Sequence, residues 1–268
     1  MPRPVPSPPP RSKRVRGGFV LEAVGIWVVL YPIFTWARLL VTVSADHAFR
    51  NAEQIIGWEQ RLGIYRELAI QRWSLAYPWF IGFWNVWYGS VHFFAPIITF
   101  IALYRFDPTR YTRWRNAYFW MLVPVVICFL FYPLAPPRLL PTSFGFIDTR
   151  LLYFGVGKPA AEELRFAFSA MPSMHIAYAT WVVFAVWPLV RPRWGKTLLA
   201  SYPFLVTFGI VVTGNHYFFD AVGGLVAFTI GYALARWRDW WPWRGVRQPR
   251  ARTRGRTEPA IGSSAVSR

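Results

Sequence analysis

Acidic residues are scarce in this chain: 12 Asp and Glu stand against 30 Lys and Arg in 268 residues, and charged residues of all kinds make up only 16%. Such a low charge content excludes an ordinary soluble domain of this size, which needs more polar surface to stay in solution. Cysteine occurs once, as Cys128 inside an apolar run. That excludes an intrachain disulfide and a thiolate metal cluster. Histidine is rare too, with four in the whole chain, so any clustering of them carries weight. No internal repeat is visible, which argues against the repeat-built transporter folds.

What is abundant is apolar: 54% of residues are hydrophobic and 19% aromatic. This composition indicates a polytopic membrane protein. A spanning helix takes about 20 mostly apolar residues, and six runs qualify: 19–43, 78–104, 115–134, 174–190, 197–213 and 217–237. The expected fold is therefore all-α, a six-transmembrane-helix bundle. The second run is long and holds Asn85, Tyr88 and His92; it fits either one tilted helix or a break near Gly89.

The net charge of +18 would suggest a nucleic-acid partner in a soluble protein. Here the basic residues fall between the apolar runs, so they set membrane orientation and no nucleic-acid partner is expected. They crowd residues 1–18, the connection with Arg105, Arg110, Arg113 and Arg115, the loop with Arg191, Arg193 and Lys196, and the nine arginines from Arg236 to Arg268. By the positive-inside rule these four segments are cytoplasmic, as are both termini of a six-span, multi-pass plasma-membrane protein. The first 18 residues show no cleavable signal peptide. Residues 1–18 and 245–268, rich in Pro, Arg, Gly and Ser, are expected to be disordered cytoplasmic tails flanking a membrane domain over 19–244. The opposite loops, 44–77 and 135–173, are extracytoplasmic. Within the first, "DHAFRNAEQIIGWEQRLGIYRELAIQRW" (46–73) alternates charged and apolar positions at helical spacing, which predicts one or two interfacial amphipathic helices.

Three polar islands interrupt the apolar pattern, all on that outer side: "YPLAPPRLLP" with Arg138, "MPSMH" with Ser173 and His175, and "TGNHYFFDAVGG" with Asn215, His216 and Asp220. His216 and Asp220 are four residues apart and on a helix would share a face. A carboxylate bonded to one imidazole nitrogen fixes the tautomer and raises the basicity of the other, as an activated nucleophile requires. Pro172 and Ser173 suit a helix start, where unpaired N–H groups favour an anion. His175 would lie within reach of that anion and could protonate a leaving oxygen. The Arg138 guanidinium presents a donor fork that matches a phosphate. A two-histidine, one-carboxylate metal site is an alternative, opposed by the repulsion that Arg138 would exert on a metal ion. A transporter is another, since it too places ionisable groups in the membrane.

Arg138, Pro172-Ser173-Met174-His175 and His216-x3-Asp220 together resemble the three signature motifs of the type 2 phosphatidic acid phosphatase superfamily, in order and spacing, over roughly residues 75–237. The "PPR", "MPSMH" and "GNHYFFD" forms resemble most its inositolphosphotransferase-like branch, which includes inositol phosphorylceramide synthases. The resemblance implies an integral-membrane enzyme of lipid-linked phosphate that uses neither cofactor nor metal. His216 would form a phosphohistidine, Asp220 would orient it, and His175 would protonate the leaving group. Arg138 and Ser173 would hold phosphate oxygens, and Asn85, Tyr88, His92 and Asn215 would line a substrate pocket. The acceptor would be water, or an alcohol such as inositol; a lipid-phosphate or polyprenyl-diphosphate phosphatase is the alternative within the family. The chain departs from the family pattern at Phe131, where a lysine is usual, at Leu139 for proline, at Met174 for glycine and at Gly209-Ile210 for Ser-Arg. Two cations of the usual phosphate clamp are thus absent from their positions, which leaves room for a phosphodiester lipid.

Overall fold

The computed structural model describes residues 44–155 and 168–240. Nine α-helices are present among them: α1 (Ala45–Arg61), α2 (Glu67–Leu75), α3 (Pro78–Phe106), α4 (Pro108–Trp120), α5 (Leu122–Phe131), α6 (Thr149–Phe154), α7 (Met174–Val186), α8 (Arg193–Val212) and α9 (Phe218–Trp240). No strand is formed among the described residues beyond an isolated bridge between Leu134 and Ser169.

Four stretches are long and apolar enough to cross a membrane: Pro78–Phe106, Pro108–Phe131, Arg193–Val212 and Phe218–Trp237. The shorter apolar stretch Met174–Leu189 stands among them. Of the six spans expected from the sequence, four long helices and one shorter one stand among the described residues. The predicted first span, 19–43, and both predicted tails lie outside the described residues. The long second run is one uninterrupted helix, α3, despite Gly89 and Pro96.

The third span differs from the expected 115–134 in where it begins. The helix starts at Pro108, so Arg110, Arg113 and Arg115 are helical rather than in a loop. Pro108 occupies the first helical position, where its missing N–H costs nothing, and Arg110 pairs with Asp107 at 3.1 Å. The helix is interrupted at Met121, between α4 and α5. Pro124 cannot donate to the carbonyl of Trp120 and its ring crowds that turn, which accounts for the interruption.

Apolar on every side, α7 is a helix that must be surrounded. It packs against α3, α8 and α9, and more lightly on α4. Trp181 on α7 is fully buried, and its indole N–H donates to the Trp114 carbonyl of α4 at 2.8 Å. Around this centre the outer helices turn large apolar side chains outward, among them Phe131, Phe204 and Trp79, as a lipid-facing wall would.

The predicted interfacial segment 46–73 forms two helices, α1 and α2, joined at Gly63. Ala48, Ala52, Ile55 and Ile56 of α1 are buried against Leu134, Ala135, Phe146, Phe168 and Tyr217. The two helices thus sit over the end of the bundle where α7 and α9 begin and α8 ends. The turns at Asp107 and at Val190–Pro192 lie at the other end.

Candidate functional site

Residues 133–141 contain four prolines, which remove N–H donors and bar helix continuation after α5. Arg138 sits here, in a single 3-10 turn over Pro137–Leu139. Its backbone N–H donates to the Gly214 carbonyl at 2.9 Å. Gly214 has φ +70°, and a Cβ there would lie 2.5 Å from Gln71 Nε2, so both backbone and space call for glycine. The Arg138 guanidinium is held by two acceptors: Nε donates to Asn215 Oδ1 at 2.9 Å and Nη1 to Asp148 Oδ2 at 3.1 Å. Neither contact uses Nη2. Burial lowers the pKa of Arg138, with the Arg150 cation adding to the effect and Asp148 opposing it.

Ser173 is the N-cap of α7, and its side chain caps no backbone N–H. Its Oγ is buried without a hydrogen-bond partner among the described residues. Its backbone N–H donates to the carbonyl of Asp220 at 2.9 Å, which ties the start of α7 to the start of α9. That approach depends on Gly224, where a Cβ would meet the Ser173 carbonyl oxygen at 2.4 Å and the Ala177 nitrogen at 3.2 Å.

His216 and Asp220 do meet, at 3.1 Å from Nδ1 to Oδ2, but not as two residues on one helix face. Helix α9 begins at Phe218, so His216 precedes it. Asp220 is the third helical residue, and its Oδ2 reaches back to accept the Tyr217 backbone N–H at 2.9 Å. This is the reciprocal half of a capping box, and it sets the carboxylate beside the ring. The other edge of His216 faces α7: its Nε2 lies 3.2 Å from His175 Nδ1. With Asp220 ionised, Nδ1 of His216 carries the proton and Nε2 offers a lone pair, so the proton between the two rings belongs to His175 Nδ1.

Tyr88 and His92, one turn apart on α3, pack against His175, each with its ring centroid 4.6 Å away. His92 Nδ1 bonds the Tyr88 carbonyl. Asn85 lies one turn before Tyr88 on α3. Its Nδ2 donates to the Ile81 carbonyl at 2.9 Å, and its Oδ1 accepts from Thr149 Oγ1 at 3.0 Å, joining α3 to the first residue of α6. Asn215 is also committed, to Arg138 and, through Nδ2, to Thr213 Oγ1 at 2.8 Å. The structure thus gathers His175, His216, Asp220, Ser173, Tyr88 and His92 in one cluster, with Arg138 and Asn215 adjoining through Gly214.

Sequence reasoning missed several residues around this cluster. Asp148 bridges two cations: its Oδ2 takes Arg138, and its Oδ1 lies 3.6 Å from Arg150 Nε. Glu59, Glu67 and Gln71, all fully buried, come down from α1 and α2. Gln71 Nε2 donates to the Ile147 carbonyl and its Oε1 accepts the Ile147 N–H, both at 3.0 Å. The Asp148-Thr149-Arg150 run offered a signal, since aspartate one residue ahead of a short helix is an N-cap pattern. The two glutamates gave none that an amphipathic surface helix would not also give. Among the described residues no group of three or more His, Cys, Asp or Glu is arranged to hold a metal ion.

A buried His–Asp pair faces a second histidine at the end of a bundle of membrane-length helices. The family model of the PAP2 superfamily matches residues 53–234; the chain belongs to that superfamily, and membership supports a phosphatase-type enzyme of lipid phosphate. No curated protein and no solved structure matches the chain.

Proposed function

We propose that this protein transfers the phosphoryl group of a membrane lipid through a phosphohistidine on His216. The observation that carries the reading is the placement of His216 Nε2 between an Asp220 carboxylate behind it, at 3.1 Å through Nδ1, and the His175 ring before it, at 3.2 Å. In the first step the Nε2 lone pair forms a bond to phosphorus, the bond from phosphorus to the headgroup oxygen breaks, His175 gives that oxygen its proton, and Nε2 is left carrying the phosphoryl group with its lipid still attached. In the second, a water or alcohol oxygen attacks phosphorus, its proton passes to His175, and the N–P bond breaks. Asp220 stabilises the cationic ring in between. The unpartnered Ser173 Oγ and the Nη2 edge of Arg138 supply donors for phosphate oxygens.

The charge around Arg138 favours one class of substrate. Arg138 and Arg150 share the single carboxylate of Asp148, so the three side chains together carry one net positive charge. That matches the single negative charge of a phosphodiester better than the double charge of a phosphomonoester. It accords with the inositolphosphotransferase-like forms of the three motifs and with an alcohol such as inositol as acceptor. On this reading the cluster faces the extracytoplasmic side of the plasma membrane, and both termini are cytoplasmic.

Purified protein incubated with a panel of phosphodiester and phosphomonoester lipids, with and without inositol, and read by mass spectrometry tests the proposal. A headgroup-exchanged lipid that forms only when inositol is present is the expected product. Release of inorganic phosphate from phosphomonoesters alone would leave the family's phosphatase activity and remove the transferase.

A further inference from the structure

Residues 217–219 open helix α9 with three backbone N–H groups that have no partner within the helix. Each is taken by a carboxylate from a different place. Tyr217 N–H donates to Asp220 Oδ2 at 2.9 Å, Phe218 N–H to Glu67 Oε1 at 3.0 Å, and Phe219 N–H to Glu59 Oε1 at 2.8 Å. Glu59 and Glu67 stand more than 150 positions earlier in the chain, on the two helices that lie over the site, and both are fully buried. A buried carboxylate is costly unless hydrogen bonds or charges compensate it. Two of them placed side by side ask for a specific use.

We infer that Glu59 and Glu67 are positioning residues for catalysis: they clamp the first turn of α9 so that Asp220 and His216 keep the geometry of an oriented nucleophile. The inference rests on the phosphohistidine reading, and it gives the interfacial helices α1 and α2 a part in the reaction beyond covering the bundle.

The pair does more than cap. Burial first, and then the neighbouring Glu67 carboxyl, raise the Glu59 pKa to about 9. Its Oε2 accepts no hydrogen bond among the described residues, as suits an oxygen that carries a proton instead. Glu59 therefore holds its proton at neutral pH. Glu67 Oε2 in turn accepts the Arg66 backbone N–H at 2.9 Å. The groups that face Glu59 are Glu67 from α2, Tyr65 from the connecting turn, and Tyr217 and Asp220 from the start of α9. None of these is a cation, so the proton itself relieves the carboxylate crowding.

The test uses the full-length protein in lipid nanodiscs, with kcat and KM measured on the best substrate of the wild type. Amide hydrogen exchange is followed over a peptide covering 214–224. An amide mimics a protonated carboxyl and can still accept the Phe219 N–H. Glu59→Gln is therefore expected to keep kcat within about twofold at neutral pH and to leave exchange unchanged. Glu59→Ala and Glu67→Ala should speed exchange of the Phe218 and Phe219 amides and lower kcat by about 10²-fold with KM little changed, since small misplacements of reacting groups have costs of that order. Where an alanine variant does not fold, Glu67→Gln decides instead. The Glu67 carboxyl uses both oxygens, for the Phe218 and Arg66 N–H groups, and an amide has only one acceptor oxygen, so exchange should quicken and kcat fall while KM holds. Wild-type kcat in folded Glu59→Ala, Glu67→Ala or Glu67→Gln protein would overturn the inference. His216→Ala is the control for the underlying reading: turnover that survives it condemns the phosphohistidine, whatever the glutamates do.

Discussion

His216 and His175 face each other nitrogen to nitrogen, Nε2 to Nδ1, at 3.2 Å, across the gap between two helices that are themselves tied by the Ser173–Asp220 backbone hydrogen bond of 2.9 Å. His175 stands two residues after Ser173 and His216 four before Asp220, so a shift of α7 against α9 moves both contacts. The relative position of the two histidines is therefore set by main chain rather than by side-chain freedom.

Loss of either histidine should have distinct kinetic signatures. His216→Ala should abolish turnover, because no neighbouring side chain replaces an oriented imidazole. Asp220→Asn should fold but lose about 10⁴-fold in kcat, by analogy with the carboxylate of a serine protease triad. His175→Ala should slow alkoxide leaving groups most and an activated aryl ester least. Acid quench during turnover should not be expected to preserve a phosphoramidate; alkaline quench should, and a base-stable, acid-labile phosphoryl adduct on His216 is the expected catch.

Arg138 and Arg150 should differ in weight. The Arg138 side chain is 7% exposed and Arg150 34%, so solvent screens the second more. Arg138→Gln should weaken transition-state binding by about 1.5–3 kcal/mol, or roughly 10- to 100-fold in kcat/KM. Arg150→Gln should cost less. Asp148→Asn leaves both cations uncompensated and should shift preference towards phosphomonoesters; an unchanged ratio of monoester to diester turnover would count against the charge-matching argument.

Stability should fall as pH rises. Glu59 holds its proton up to about pH 9 in the folded protein, against an ordinary value of 4.5. Between those values the folded state keeps a proton that the unfolded chain has released, so this group's contribution is fullest below 4.5 and is lost as pH climbs towards 9. Thermal unfolding in detergent from pH 5 to 9 should show a declining midpoint for the wild type and a flatter profile for Glu59→Gln. Parallel profiles would mean that Glu59 is ionised throughout.

The site should be reachable from the extracytoplasmic side. Ser143 lies in the loop that carries Arg138, and Arg193 begins α8 at the other end of the bundle. Cysteines at these two positions, in a Cys128→Ala background, should react with impermeant reagent from opposite sides of the membrane. Labelling of both from one side would refute the positive-inside assignment.

The motif residues were legible in the sequence because each combines a rare residue type with a helix-boundary signal: His175 after Pro172-Ser173, His216 ahead of a glycine-paired helix start, Arg138 among prolines. The apolar helices were legible by length, and even the interfacial pair α1 and α2 by periodicity. What failed was local geometry. His216 was expected on a helix and precedes one, because spacing alone does not say where the first turn begins. Asn85 bonds Thr149, a partner 64 positions away that spacing within one helix does not foretell. The roles of Glu59, Glu67 and Asp148 were invisible for the same reason: each depends on a contact made only after the chain has folded back on itself.

The burial of His216 constrains the stereochemistry of the reaction. The residue is 5% exposed, its Nδ1 edge is closed by Asp220, and its Nε2 edge faces His175. A phosphoryl group carried on Nε2 can be approached in line from one direction, the one along which the first leaving oxygen departed. Each displacement inverts phosphorus, so the pair restores the original handedness. A lipid made chiral at phosphorus with sulfur and oxygen isotopes should therefore yield a product of retained configuration, and a single inversion would mean that the acceptor attacks the lipid directly.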